Sequence, residues 1–470
     1  MKEELEKLFN PSSIAVIGAS RDHNSVGYGI LRNLLTGSSN GEHSAYSTPF
    51  KGKVFAINPH AENIQGLQCY PSILKIKEDI DVAIISVPVK FVPDVMKECA
   101  KKKVKFAIII SAGFGETGEE GKKLQDEVLD IAKKSNIRIV GPNCLGIIRT
   151  ENSMNASFAP CMPPEGEIAF ISQSGALADS IIDWAIEKRY GFSTIISYGN
   201  KSDLDTADFI KYLGNDKNTK AIALYVEGIT DGRKFMKIAS QVAKKKPIIV
   251  LKAGRSEAGA KAVSSHTGSL AGSYQIYEAA FRQCGIITAL TVEEMFDEAK
   301  ALAYQPACKE NAVVILTNAG GPGVLCSDYC EMFGVNLVKL KDSTIKKLDS
   351  TGKMHPAYSR RNPLDIVGDA MAERYEAALN ILLDEPYISG VIVIQTLQTM
   401  TNPEEDAKVI IEAKKKHPDK PIICTYMGGK YSRKGIEMLE ENKIPDYNDP
   451  KKTAKAMSSL IKRAEFLKRK

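Results

Sequence analysis

The feature that most constrains this chain is a recurring unit. A short, unbroken run of β-branched and other apolar residues ends in glycine or a small polar residue, and a stretch of helical length follows. The first block carries it at Ser13-Ile-Ala-Val-Ile-Gly18, then at 53–58, 82–87, 106–111 and 137–140. The second carries it at 168–172, 193–197, 221–226 and 247–251, with helices expected over 177–188 and 234–244. The third carries it at 312–317, 390–395 and 421–425. A strand exposed on one face alternates apolar and polar residues, whereas a strand buried on both faces reads as a continuous apolar run. The pattern therefore predicts an α/β chain of three consecutive doubly wound domains. A Pro-rich connector at 159–166 and Gln305-Pro306 separate the blocks. The expected domains span 1–150, 160–303 and 308–470, a division that suits 470 residues.

Charge and cysteine usage narrow the function. Lys+Arg number 63 against Asp+Glu 57, for a net +6. No array of aromatic beside basic residues is present, so nucleic acid is not indicated. The mild positive balance suits small anions that carry phosphate. No apolar stretch reaches the roughly 18 residues of a membrane span. The start, Met1-Lys-Glu-Glu-Leu-Glu, is charged and lacks the apolar core of a signal peptide. The nine cysteines show no paired metal-ligand spacing, and Cys326 and Cys330 have no second pair to join them. A cytoplasmic protein with reduced thiols and no metal site is expected.

Several turns carry chemistry. Gly18, Ala19 and Ser20 follow the first strand, and Gly27 precedes the next helix. Such glycines let backbone N–H groups approach a pyrophosphate at a helix start, or simply allow tight packing. The spacing is not G-x-G-x-x-G. Asn58-Pro59 stands where a nicotinamide-binding domain places the acid that holds the ribose. This disfavours NAD and leaves another nucleotide-diphosphate ligand such as coenzyme A. Val87 and Pro88, then Ser111, Gly113, Phe114 and Glu116, then Asn143 and Cys144 stand at the ends of later strands. Ligands of open parallel sheets bind at those ends, so one shared pocket is expected.

Ser172-Gln-Ser-Gly175 follows a strand and opens a helix. It reads as an anion site of free N–H groups, or as a plain N-cap. It lacks the first glycine of a nucleophile elbow. His266 lies in 254–272, a stretch rich in Gly, Ala and Ser that offers no apolar stripe to bury an imidazole. Gly268 and Ser269 are expected to start a helix and supply further N–H groups. A histidine that takes up a phosphoryl group needs a neutral nitrogen as nucleophile, an acid on the other nitrogen and dipoles around the phosphate. Glu227, just past the strand 221–226, is a candidate for that acid, with a surface carboxylate as the plainer reading.

Taken together the motifs resemble a family. The first two blocks resemble the α-subunit of succinyl-CoA synthetase. The whole chain is similar to the α-subunit of archaeal ADP-forming acetyl-CoA synthetases, the NDP-forming acyl-CoA synthetases. The carrying segments are Ile14-Ala-Val-Ile-Gly-Ala-Ser20, Ser111-Ala-Gly-Phe-Gly-Glu116, Gly141-Pro-Asn-Cys-Leu-Gly146, Ser172-Gln-Ser-Gly175, Ser265-His-Thr-Gly268 and Thr317-Asn-Ala-Gly-Gly-Pro-Gly323. They run in the family's order along nearly all of the chain.

The resemblance implies a Rossmann-like CoA-binding domain followed by two flavodoxin-like ligase domains. It implies that His266 is phosphorylated and Glu227 orients it. Phosphate is then held at Ser172, Gln173, Ser174, Gly175, Gly268 and Ser269. No ATP-grasp module is recognisable in these 470 residues, so ADP or ATP with Mg2+ is expected on a β-subunit, in an α2β2 assembly. A CoA-binding regulatory protein without turnover is the alternative.

Overall fold

The computed structural model describes residues 4–38, 46–267 and 273–469, without the side chains of 264–267. It divides into two compact units, Met1–Leu290 and Thr291–Lys470.

The first unit holds two sheets. One is built from β1 (Ser13–Ile17), β2 (Lys53–Ile57), β3 (Asn63–Ile64), β4 (Leu67–Tyr70), β5 (Val82–Ile85), β6 (Phe106–Ile109) and β7 (Arg138–Val140). Its order is β3-β4-β2-β1-β5-β6-β7, and all pairs except β3–β4 are parallel. Ile14, Ala15 and Val16 of β1 and all of β5 are buried, as the continuous apolar runs require. Helix Val26–Thr36 starts at Ser25, whose hydroxyl accepts from the Tyr28 amide.

The other sheet comprises β8 (Gly146–Arg149), β9 (Met154–Ser157), β10 (Glu165–Ser172), β11 (Phe192–Ser197), β12 (Ala221–Val226), β13 (Ile248–Lys252) and β14 (Ile287–Ala289). Its order is β14-β13-β12-β10-β11-β8-β9. Strands β8 and β9 are antiparallel additions that join this sheet, although they precede the Pro-rich connector. Arg149 fixes β8 there: its guanidinium is buried and donates to both Asp216 oxygens, at 2.9 and 3.0 Å, and to Thr194. The polar run Met-Asn-Ala-Ser in β9 carries no strand pattern, which is why it escapes a reading based on apolar runs.

The two sheets of this unit are tied directly. Arg138, on β7, donates to both oxygens of Asp203 at 2.8 and 3.0 Å. Phe9 stacks on Tyr212 with ring centroids 4.3 Å apart.

The second unit carries a parallel sheet of β15 (Val313–Thr317), β16 (Leu364–Asp365), β17 (Gly390–Thr396) and β18 (Ile422–Met427), in the order β16-β15-β17-β18. Its core gathers Val314, Leu316, Leu379, Ile388, Val391, Val393, Ile422 and their neighbours. Each fully buried aliphatic side chain stabilises by roughly 1.5–3 kcal/mol. Helix Val292–Tyr304 belongs to this unit. Lys300 reaches Glu440 at 2.8 Å, and Lys455 of helix Pro450–Lys468 reaches Glu294 at 2.8 Å.

All three sheets share one device. In each, the first parallel strand lies between neighbours that run outward in opposite senses: β1 between β2 and β5, β10 between β11 and β12, β15 between β16 and β17. At such a switch point the flanking crossovers leave on opposite faces and open a crevice at the strands' carboxyl ends. Gly18-Ala-Ser20, Ser172-Gln-Ser-Gly175 and Thr317 to Gly323 each follow one of these strands. Among the described residues no helix is long and apolar enough to cross a membrane.

Candidate functional site

In the first unit the crevices of the two sheets open into one cleft of about 1320 Å³. From the first sheet it receives Ser86 to Val89, Ser111, Glu116, Asn143 and Cys144; from the second, Gln173 to Ala176, Asn200, Lys201, Glu227 and Gly228. Of the residues expected to meet a nucleotide-bearing ligand, Val87, Pro88, Ser111, Glu116, Asn143 and Cys144 line this cleft.

The others sit behind or beside it. Gly18 has φ 94°, and a Cβ there would stand 2.6 Å from the Ser86 carbonyl oxygen. A Cβ on Gly27 would stand 1.9 Å from the Gly18 oxygen. Both glycines let the start of helix Val26–Thr36 sit against β1 and β5, a packing role. The Asn58 side chain donates to the Ala19 carbonyl at 2.8 Å and so braces that turn, and Pro59 follows it on the surface. Ser20 accepts from the Asp22 amide, Gly113 donates its amide to Glu116, and Phe114 is wholly buried. The Cys144 thiol is pushed up to about 12 by burial, so it is no nucleophile.

Glu116 ties the two sheets' loops together. One carboxylate oxygen accepts from the Gly113 amide at 2.6 Å and the Phe114 amide at 3.2 Å; the other accepts from the Asn200 side chain at 2.5 Å. Burial opposes its ionisation, but these hydrogen bonds outweigh it and hold the carboxyl below its usual range.

The turn after β10 is ordered from within. The Ser174 hydroxyl accepts from the Leu177 amide and caps helix Gly175–Lys188, which leaves the Gly175 and Ala176 amides in a first turn that has no intrahelical acceptor. Ser172 is buried and bonds the Ser174 backbone. Gln173 accepts from the Glu227 amide at 2.6 Å and the Gly228 amide at 3.0 Å, and donates to the Gly228 carbonyl at 2.7 Å. Both side chains, expected on phosphate, thus spend their hydrogen bonds on the frame. Ser174 and Gly175 remain at the cleft wall.

Glu227 is 8% exposed and acts electrostatically on two lysines, Lys201 and Lys252. Burial lowers both ammonium pKa values, and the Glu227 carboxylate opposes that fall in each. The Lys252 ammonium stands 4.7 Å from the centre of the Tyr277 ring. Within the stretch rich in Gly, Ala and Ser, residues 257–267 form helix Glu257–Thr267. Alternating alanines at 258, 260 and 262 favour a helix, and Ser256 accepts from the Gly259 amide at its start. His266 lies in the last turn of that helix, and its side chain is outside the described residues, as are Gly268 and Ser269. The next helix begins at Tyr274.

The site also contains residues that the motifs did not indicate: Asp179, Asn200 and Lys201. Burial raises the Asp179 carboxyl, and its inner oxygen has no hydrogen-bond partner among the described residues. The one clue in the sequence was Gly199-Asn200, a turn dipeptide at the end of β11, on the edge where the other motifs gather.

Residues 12–150 match the family model of a CoA binding domain, 165–302 that of a succinyl-CoA ligase-like flavodoxin domain, and 313–465 that of a ligase-CoA domain. That succession of domain types defines a chain of the succinyl-CoA ligase class. The chain is 45% identical to subunit α of acetate–CoA ligase (ADP-forming) II of Pyrococcus furiosus, over 98% of both chains. It is 44% identical to acetate–CoA ligase (ADP-forming) I of Archaeoglobus fulgidus over 97% of this chain, and spans 63% of that protein's length. Among solved structures, acetyl-coenzyme A synthetase 1 of Ca. Korarchaeum cryptofilum, in complex with phosphate and ADP, superposes with a TM-score of 0.91 at 40% identity, over 99% of this chain and 98% of that one. The chain belongs to the family of ADP-forming acetate–CoA ligases.

Proposed function

We propose that this chain is the α-subunit of an ADP-forming acyl-CoA synthetase, which interconverts acyl-CoA, phosphate and ADP with carboxylic acid, CoA and ATP. One observation carries the reading: a single cleft joins the loops expected to hold CoA, Val87-Pro88, Ser111, Glu116 and Asn143, to the helix start at Ser174-Gly175 and to Glu227. Thioester and phosphate would meet there.

In the ATP-forming direction a phosphate oxygen attacks the thioester carbonyl. The carbon–sulfur bond breaks, CoA leaves as thiolate and an acyl phosphate forms. A ring nitrogen of His266 then attacks phosphorus, and the carboxylate departs with the bridging oxygen. Glu227 orients the imidazole and favours its charged form. The amides of Gly175 and Ala176 hold the negative charge that moves between carbonyl and phosphoryl oxygens. The phosphoryl group passes to ADP, with Mg2+, on a β-subunit that carries an ATP-grasp domain, in an α2β2 assembly.

The test uses the full chain with its partner, an acyl-CoA, labelled phosphate and ADP. His266→Ala is expected to abolish ATP formation and the acid-labile label on the chain, and Glu227→Gln to slow labelling on the order of 100-fold or more. ATP made by His266→Ala at the normal rate would sink the mechanism. CoA binding by the wild-type chain with no label under any acyl-CoA would make it a regulatory protein.

A further inference from the structure

Lys201 enters the cleft from a turn that the rest of the unit holds in an unfavourable shape. Gly199 has φ 47° and Lys201, a residue with a side chain, has φ 50°. A Cβ on Gly199 would lie 2.0 Å from the Asn143 oxygen, so the turn presses against the loop after β7. The Asn200 amide donates to the Pro142 carbonyl at 2.9 Å, the Ser202 amide to the Gly141 carbonyl at 3.1 Å, and the Asn200 side chain to Glu116. Left-handed backbone outside glycine persists only where surrounding structure over-determines it, and such strain gathers at functional sites. Here the strain delivers one ammonium group to the cleft.

That ammonium is incompletely used. It has three N–H donors. One goes to the Gly228 carbonyl at 2.6 Å, and no other partner is present among the described residues. Glu227 influences it electrostatically, but no ion pair joins them. Lysine, a compact point charge, suits one oxygen of a phosphate. The first turn of helix Gly175–Lys188 lines the same cleft, so a phosphate bound there could take Lys201 and the helix-start amides together. Glu227 lines this cleft too, and its carboxylate would repel a phosphate that had no cation beside it.

We propose that Lys201 is a substrate-binding residue whose ammonium holds one oxygen of inorganic phosphate, and of the acyl phosphate made from it, against the start of helix Gly175–Lys188. This rests on the functional reading above and adds to it a residue that offsets the Glu227 charge while phosphate binds.

The test titrates inorganic phosphate and, separately, CoA into the full chain by calorimetry, for wild type, Lys201→Gln and Lys201→Arg. Glutamine retains a donor for the Gly228 carbonyl but carries no charge. Lys201→Gln is expected to weaken phosphate binding on the order of 10- to 100-fold, the size of one charge-assisted hydrogen bond, and to leave CoA affinity within about twofold. Lys201→Arg is expected to retain most of the phosphate affinity. With the partner present, the KM for phosphate should rise in Lys201→Gln while that for acyl-CoA stays constant. If CoA binding shows that Lys201→Gln is misfolded, Lys201→Met is measured against the same two outcomes. Unchanged phosphate affinity in a folded neutral variant overturns the role of Lys201 and leaves the functional reading standing. A wild-type chain that binds neither phosphate nor CoA overturns both.

Discussion

Asp406 is wholly buried in the first turn of helix Pro403–Lys416, where, among the described residues, only the Gln395 side chain donates to its carboxylate, at 3.2 Å. Burial pushes its carboxyl up to about 7; the Gln395 bond pulls it down and Glu405 pushes it further up. In the unfolded chain an aspartate titrates near 3.9. The folded state therefore binds this proton more tightly. The stability that Asp406 contributes is fully present below about pH 4, declines as pH rises, and is lost above about 7. Asp406→Asn should flatten that decline and make the Thr291–Lys470 unit more stable at pH 8 by a few kcal/mol, as urea unfolding at pH 5 and pH 8 would show. An unchanged pH slope would mean that Asp406 ionises freely in the folded state. At the cleft of the first unit the balance differs: Glu116 has three donors that hold its carboxyl below the usual range, whereas Asp179 has an oxygen with none among the described residues.

The turn Gly199-Asn200-Lys201 shows how a short element joins two domains of one unit. It has no strand or helix pattern, yet it bonds the backbone of the loop after β7 and reaches Glu116 through Asn200. Gly199→Ala adds a Cβ 2.0 Å from one backbone oxygen and 2.3 Å from another, at a φ that alanine disfavours. It should cost about 2 kcal/mol or more and weaken CoA binding, because the cleft walls must part. Melting temperature and CoA titration check this; a melting temperature equal to wild type would show that the turn relaxes freely. Helix Glu257–Thr267 changes the picture of a flexible phosphohistidine loop. A helix carries the His266 backbone, so movement of the residue would carry the helix about its junction at Gly254, whose φ is 75°.

At the scale of the whole molecule, three sheets built alike place their first crossover turns at switch points, and in the first unit two such points share one cleft. Coenzyme A added to the full chain should protect amides at 86–89, 110–116 and 143–145 from hydrogen exchange. Ligand binding to the folded state stabilises by about 2.7 kcal/mol at a hundred times Kd, ample for detection. Protection centred on 317–323 and 396–430 instead would move the CoA site to the other unit. The second unit presents its own glycine-rich helix start at Gly320, after a buried β15.

Elements whose causes are local were legible in the residues themselves. Continuous apolar runs marked the strands of parallel sheets, and Ser174, followed by glycine and alanine, marked a helix start. The glycines at 18 and 27 marked a tight turn, and the structure shows the close packing they allow. The tertiary structure alone decided what meets what. Arg149 recruits β8 through Asp216, 67 residues away. Glu116 meets Asn200 across 84 residues, and Lys201 reaches the Gly228 carbonyl across 27. No window of sequence carries those pairings, because a buried carboxylate or ammonium takes its partners from whatever chain packing brings within hydrogen-bond reach.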